Sequence, residues 1–166
     1  MSADEPVNPS SNPNPPDGFE VFPHSDGFLE LVGPVFASIK DGRPVLGFRV
    51  EPRHCNPAGI CHGGMMMSVM DVAIGVATAH DAQNGGFTPS VNLTYDFVTP
   101  GYTGDWLESQ IDWVHTTYKT GFANGYLIGP KGPVLRANGI CKIVRGDNSK
   151  FQMKSGKTLD FPPKEV

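Results

Sequence analysis

Between His54 and Gly64 the chain reads HCNPAGICHGG, and the apolar run that follows, MMMSVMDVAIGVATAH, carries one carboxylate near its middle, Asp71. Histidines and cysteines packed this closely invite three kinds of chemistry: metal ligation, thiol redox exchange, or a polar loop opening onto a helix end. Structural zinc sites set their paired cysteines about two to four residues apart. Here five residues separate Cys55 from Cys61, a proline and a glycine among them, and each cysteine has a histidine directly beside it that would have to point the same way. No metal is expected on that spacing. A CxxC pair is also absent, so the two cysteines are read as small buried hydrophobes at the entrance to a helix.

What remains is backbone chemistry. A helix that begins near Gly63 presents unpaired N–H groups and the positive end of its dipole, and glycine lets another atom approach closely. Such a helix end suits a developing negative charge. Asp71 supplies the complementary group, since a carboxylate on a helix buried along most of its sides is costly unless it is hydrogen-bonded, paired or functional. Asn56 precedes Pro57, so it reads equally as an ordinary turn residue and as a donor. His62 reads as an orienting group at the helix entrance, although a histidine can also carry a proton near neutral pH. His54 reads as an anchor for the loop.

These residues need elements to hold them. Residues 34–40 and 43–50 are short runs rich in Val, Ile and Phe around Asp41-Gly42, a pair suited to a tight hairpin turn. Residues 64–80 lack strand punctuation and predict one long helix that ends before Asn84-Gly85-Gly86, with its three adjacent methionines as flexible core filler. In 88–98, Val91, Leu93, Tyr95 and Phe97 alternate with Ser90, Asn92, Thr94 and Asp96, the period of a half-buried strand. That alternation sets Ser90 on the polar face. In 106–115, Leu107, Ile111 and Trp113 share a face, and 120–128 and 133–145 are joined through Pro130-Lys131-Gly132 as another hairpin. Two strands, a long helix and four strands predict an α+β fold, an antiparallel sheet with one helix against a face.

The 166 residues suit a single domain. Residues 1–18, dense in Pro, Asn and Ser, read as a disordered tail; 19–146 form the domain; 147–166 are set apart as a C-terminal extension. A net charge of −4 without a basic block argues against a nucleic-acid partner. No apolar segment reaches the length of a membrane span, the stretch 65–79 being interrupted by Ser68, Asp71, Gly75 and Thr78. The acidic, apolar-poor start and the three cysteines fit a cytoplasmic protein with reduced thiols.

The pattern HxNPAGxxHGG, present as His54, Asn56, Gly59, His62, Gly63 and Gly64 and followed by an apolar helix bearing Asp71, resembles the hotdog-fold acyl-CoA thioesterases, in particular the PaaI-like type of phenylacetate degradation. The stretch SVNLTYDFVTPG from Ser90 resembles the family strand after the helix, with Gly101 where many relatives have alanine. The resemblance spans about residues 28–146. It implies a curved antiparallel sheet wrapped around one long central helix, a homodimer or a tetramer built from dimers, and acyl-CoA bound between subunits with no separate cofactor. It further implies that the Gly63 N–H and Asn56 polarise the thioester carbonyl, that Asp71 is the base or nucleophile, that Ser90 places water or substrate, and that His62 shapes the helix entrance. Lys131, Arg136, Lys142 and Arg145 are all candidates for the coenzyme phosphates.

Spacing bears on the dimer independently. Gly63 and Asp71 are separated by about 12 Å along a helix rising 1.5 Å per residue. A base and an oxyanion donor serving one carbonyl each need to lie within roughly 3 Å of their reacting atoms. A second, antiparallel helix brings its own Asp71 beside the first helix's Gly63, and Gly75 fits close helix approach. Two other functions share such a fold: hydration or dehydration of an acyl thioester, and acyl-CoA sensing without catalysis.

Overall fold

A computed structural model describes residues 14–23, 27–83 and 87–145. The expectations for residues 1–13 of the tail and for 147–166 lie outside the described residues.

Strand β1 (Glu20–Val21) is followed by the short helix α1 (Phe28–Val32), then by β2 (Phe36–Lys40) and β3 (Arg43–Arg49). The β2–β3 turn is the one expected: Lys40 pairs with Arg43, and Asp41 and Gly42 adopt φ values of 51° and 70°. Two positive φ values in a two-residue loop match the twist of the strands they join. A 3₁₀ turn at Pro52–His54 leads into the polar loop, and helix α2 runs from Gly63 to Ala82. Four strands follow: β4 (Ser90–Phe97), β5 (Trp106–Thr116), β6 (Thr120–Gly129) and β7 (Gly132–Lys142). The expected order of long elements is observed. Helix α1 was not foreseen, because five residues are too few to show a helical period.

The seven strands form one antiparallel sheet in the order β1-β2-β3-β5-β6-β7-β4. Helix α2 joins β3 to β4 at the far edge, so it crosses the sheet and touches β3, β4, β5, β6 and β7. This is the hotdog arrangement. Leu46 and Phe48 of β3, Leu107 of β5, Leu127 of β6 and Leu135 of β7 meet Met65, Met66, Val69, Met70 and Ile74 of the helix. Each such side chain, fully buried, contributes about 1.5–3 kcal/mol. Met67 departs from its neighbours and is exposed. At Gly139 an added Cβ would lie 2.6 Å from Ile74, so a residue without a side chain lets the helix lie close to β7.

Two one-residue irregularities correct the expected alternation. Ser90 pairs with Cys141 and Asn92 with Ile140, so Val91 is an extra residue on β4 and is 67% exposed. Ser90 consequently turns to the helix face with Leu93 and Tyr95, not to the polar face with Asn92 and Thr94. On β5, Ile111 pairs with Gly125 and Trp113 with Asn124, leaving Asp112 as the extra residue. Trp113 is therefore outside, 51% exposed and stacked on His115, while Val114 packs against the core. A β-bulge changes the phase of every side chain beyond it.

Candidate active site

The loop before α2 is a small hairpin. His62 N–H donates to the His54 carbonyl at 2.7 Å, and Asn56 N–H donates to the Ile60 carbonyl at 2.9 Å. Inside it the Asn56 Oδ1 accepts from the N–H groups of Ala58 at 3.0 Å and Ile60 at 3.4 Å. Asn56 is thus a turn residue, and with its oxygen engaged by the loop, the Nδ2 group is its donor toward any ligand. The hairpin leans on the segment after β4, where Cys61 N–H donates to the Gly101 carbonyl at 2.8 Å and Ile60 bridges Tyr102.

His62 is the N-cap of α2. Its Nδ1 accepts from Gly64 N–H at 2.9 Å, and its carbonyl accepts from Met65 N–H at 3.0 Å. The Gly63 N–H has no partner among the described residues, so of the first three amides of the helix it alone is open. The Phe97 ring lies against this glycine: a Cβ there would sit 2.7 Å from the ring. A side chain at 63 would displace Phe97.

Asp71 lies eight residues along the same helix, partly buried, and accepts a hydrogen bond from the Ser90 hydroxyl through Oδ1. Around this pair stand Tyr95 and Cys141. The Tyr95 hydroxyl donates to the Met67 carbonyl at 3.4 Å, and its acidity is suppressed to about 12 by burial, then by the Asp71 and Cys141 charges. Burial likewise pushes the Cys141 thiol up, an effect that the nearby Thr78 and Ser90 hydroxyls oppose. The alternation along 88–98 marks Tyr95 only as a core-facing residue. Its phase with Leu93 was legible, its proximity to Asp71 was not.

Along α2 the buried positions include Met66, Val69, Met70, Ala73, Ile74 and Ala77, whereas Gly64, Met67, Ser68, Asp71, Val72, Gly75 and Val76 form a stripe that the chain leaves partly open. Asp71 sits on that stripe. Gly75 meets Thr88, whose hydroxyl donates to the Gly75 carbonyl at 2.8 Å, so within the chain its close neighbour is a strand approach.

His54 is 5% exposed, and its Nδ1 accepts from Glu51 N–H at 3.0 Å. Burial, then the Arg53 charge, lowers its pKa, against weaker opposing effects from Glu51 and the carbonyls of Val32 and Arg49. It anchors the 3₁₀ turn. A cleft of about 230 Å³ opens between α1, this turn and the start of α2, with Phe28, Leu31, Val32, His54, His62 and Met65 among its walls. Cys55 packs against the core, its Sγ 3.3 Å from the Thr103 hydroxyl, and Cys61 is buried. No three His, Cys, Asp or Glu side chains are grouped for a metal among the described residues.

Of the basic residues considered for coenzyme phosphates, Arg136 pairs with Asp96 at 3.7 Å, Arg145 lies over the Tyr118 ring, and Lys131 lies over the Tyr102 ring. Lys142 is exposed on β7. Among the described residues no helix is long and apolar enough to cross a membrane.

Residues 58–124 match the profile of the thioesterase superfamily. The chain is 32% identical over 133 residues to a proposed esterase of Pseudomonas aeruginosa, a match covering 76% of this chain and 96% of the relative. Among solved structures it is similar to the E. coli PaaI protein from the phenylacetic acid degradation operon, with a TM-score of 0.57, 25% identity and coverage of 68% of this chain and 80% of that one. It also shares its fold with a hypothetical thioesterase of Streptococcus pneumoniae solved with coenzyme A, at a TM-score of 0.59, 19% identity and coverage of 68% and 91%.

Proposed function

This chain belongs to the thioesterase superfamily, and from that premise we propose that it hydrolyses an acyl-CoA thioester to a free acid and coenzyme A. The observation that carries the proposal is the open Gly63 N–H at the start of a helix whose unburied stripe also bears Asp71. The thioester carbonyl oxygen, as it gains charge, accepts from the Gly63 N–H and the Asn56 Nδ2. Asp71 either removes a proton from the attacking water or attacks the acyl carbon itself. Ser90, bonded to Asp71, sets the carboxylate's direction. His62 holds the helix end by taking the Gly64 N–H, which leaves its neighbour for the substrate. The acyl group enters the cleft beside α1, whose walls include Phe28, Leu31 and Met65.

The site is shared between two copies. Gly63 and Asp71 are about 12 Å apart along one helix, too far to serve one carbonyl. Two features support pairing: the partly open helix stripe, and β4, which among the described residues pairs with β7 as its one neighbouring strand and so leaves a second strand edge available. One copy contributes Asn56 and Gly63, the other Asp71. A heterodimer of Asn56→Ala and Asp71→Ala chains then regains one intact site, and the absence of any recovered rate on mixing inactive subunits would overturn the shared site.

Release of free thiol from a panel of aryl and straight-chain acyl-CoA compounds, followed with a thiol-reactive dye, tests the reaction. A thioesterase releases thiol and loses its rate in Asp71→Ala. A hydratase releases none, and a sensor binds acyl-CoA without turnover; either outcome would overturn the proposal. The coenzyme A complex of the S. pneumoniae protein favours acyl-CoA among thioesters.

A further inference from the structure

Cys55 and Cys61 face one another as an antiparallel bridge pair. The hydrogen bonds on either side, His62 N–H to the His54 carbonyl and Asn56 N–H to the Ile60 carbonyl, define which kind of pair it is. Bonds that flank two residues without joining them mark a non-hydrogen-bonded pair, in which the Cα atoms lie about 4.5 Å apart and both side chains leave the ribbon on the same face. Disulfides span Cα separations of about 4.4–6.8 Å. The backbone therefore already holds these two positions at bonding range. Both are free thiols, Cys61 buried and Cys55 partly exposed.

We propose that Cys55 and Cys61 form a reversible intramolecular disulfide, with a hydroperoxide as oxidant, that clamps the loop carrying Asn56 at the entrance to α2. Cys55 is the sulfur that reagents reach. As thiolate it attacks a peroxide oxygen, the O–O bond breaks, and Cys55 becomes a sulfenic acid with release of water once the leaving oxygen is protonated. The Cys61 sulfur then attacks the Cys55 sulfur, expels the hydroxyl as water and gives up its proton. Two thiols lose two electrons and two hydrogens, and hydrogen peroxide becomes two waters. In the reduced form Cys55 Sγ lies 3.5 Å from the Glu51 carbonyl and 3.3 Å from the Thr103 hydroxyl, and forming the bond gives up the thiol's donation to these oxygens. Burial, then the neighbouring Cys55, holds the Cys61 thiol up at about 12, so Cys55 and not Cys61 takes the part of first nucleophile. A dithiol reverses the reaction.

The clamp has a local consequence. Asn56 follows Cys55 directly and His62 follows Cys61 directly, so the bond closes the base of the hairpin between the two residues that shape the helix end. It restrains the unfolded chain and limits local opening of the loop.

The full-length protein is treated with hydrogen peroxide, free thiols are alkylated, and tryptic peptides are weighed. Both cysteines fall on the single peptide 54–119, while Cys141 falls on 137–142. The expected result is an unalkylated 54–119 lighter by two hydrogens, restored by dithiothreitol, absent in Cys55→Ser and retained in Cys141→Ser. The oxidised protein should melt several degrees higher and show slower amide exchange at 58–60. A cross-link between 54–119 and 137–142, an unchanged peptide at an oxidant level that modifies Cys55, or bond formation that survives Cys55→Ser would each overturn the proposal.

Discussion

The two polar regions of the site are built in opposite ways. At the start of α2, the hydrogen-bond partners of the Asn56 and His62 side chains all lie within four residues along the chain. At the middle of α2, Asp71 is held by Ser90, nineteen residues on, which stays on the helix face because Val91 is left out of the pairing with β7. The first region is a local motif that forms wherever the loop closes. The second depends on the register of strands remote in sequence, so it exists only in the assembled sheet. Removing a local bond weakens one place, whereas altering the register redirects a side chain.

Breaking the non-local side at its centre has the largest expected effect. Asp71→Asn keeps the size of the side chain and removes its charge and basicity, and should lower kcat by about 10²–10⁴-fold with an unchanged circular dichroism spectrum. On the local side, Asn56→Ala removes one of the two proposed carbonyl donors and should cost about 10²–10³-fold in kcat. A rate within a factor of a few of wild type would take Asn56 out of the site and leave it a turn residue.

The bulge can be tested directly. Ser90→Ala frees the carboxylate to turn and should cost up to about 10²-fold in kcat/KM. Deletion of Val91 leaves Ser90 opposite Cys141 in a regular ladder, still on the helix face, and should cost much less than Ser90→Ala. If the deletion proves as harmful as the alanine substitution, the bulge itself and not the facing of Ser90 is what the site requires.

Smaller effects sharpen the local side. His62→Ala removes the acceptor for Gly64 N–H and should cost about 1 kcal/mol of stability, seen as a Tm lower by about 2–4 °C. The buried His54 gives a pH signature. Its folded pKa is depressed, so the unfolded chain takes up the proton first as pH falls below about 6.5. Stability should be insensitive to His54 above that pH and decline as pH falls through and below it, because the charged ring is disfavoured in the fold and its Nδ1 can no longer accept from Glu51 N–H. Thermal melts from pH 8 to 5 should show a shallower acid-side decline in His54→Gln than in wild type.

How far sequence carries in this protein follows the same division. The hairpin at Asp41-Gly42, the helix opened by His62 and closed after Ala82, and the order of strands around it are set by short-range chemistry: positive-φ tolerance, capping groups and apolar periodicity. Those cues act within a few residues, so they are visible in the chain as written. The facing of Ser90 and Trp113, the placing of β4 beside β7 at the sheet edge, the ring of Phe97 over Gly63 and the contact between Tyr95 and Asp71 were decided by tertiary structure. Strand alternation has no memory across an inserted residue, and nothing local announces which residue will be inserted. Only the partner strand, fixed by how the whole sheet packs on the helix, selects the register that turns a serine inward and a tryptophan out.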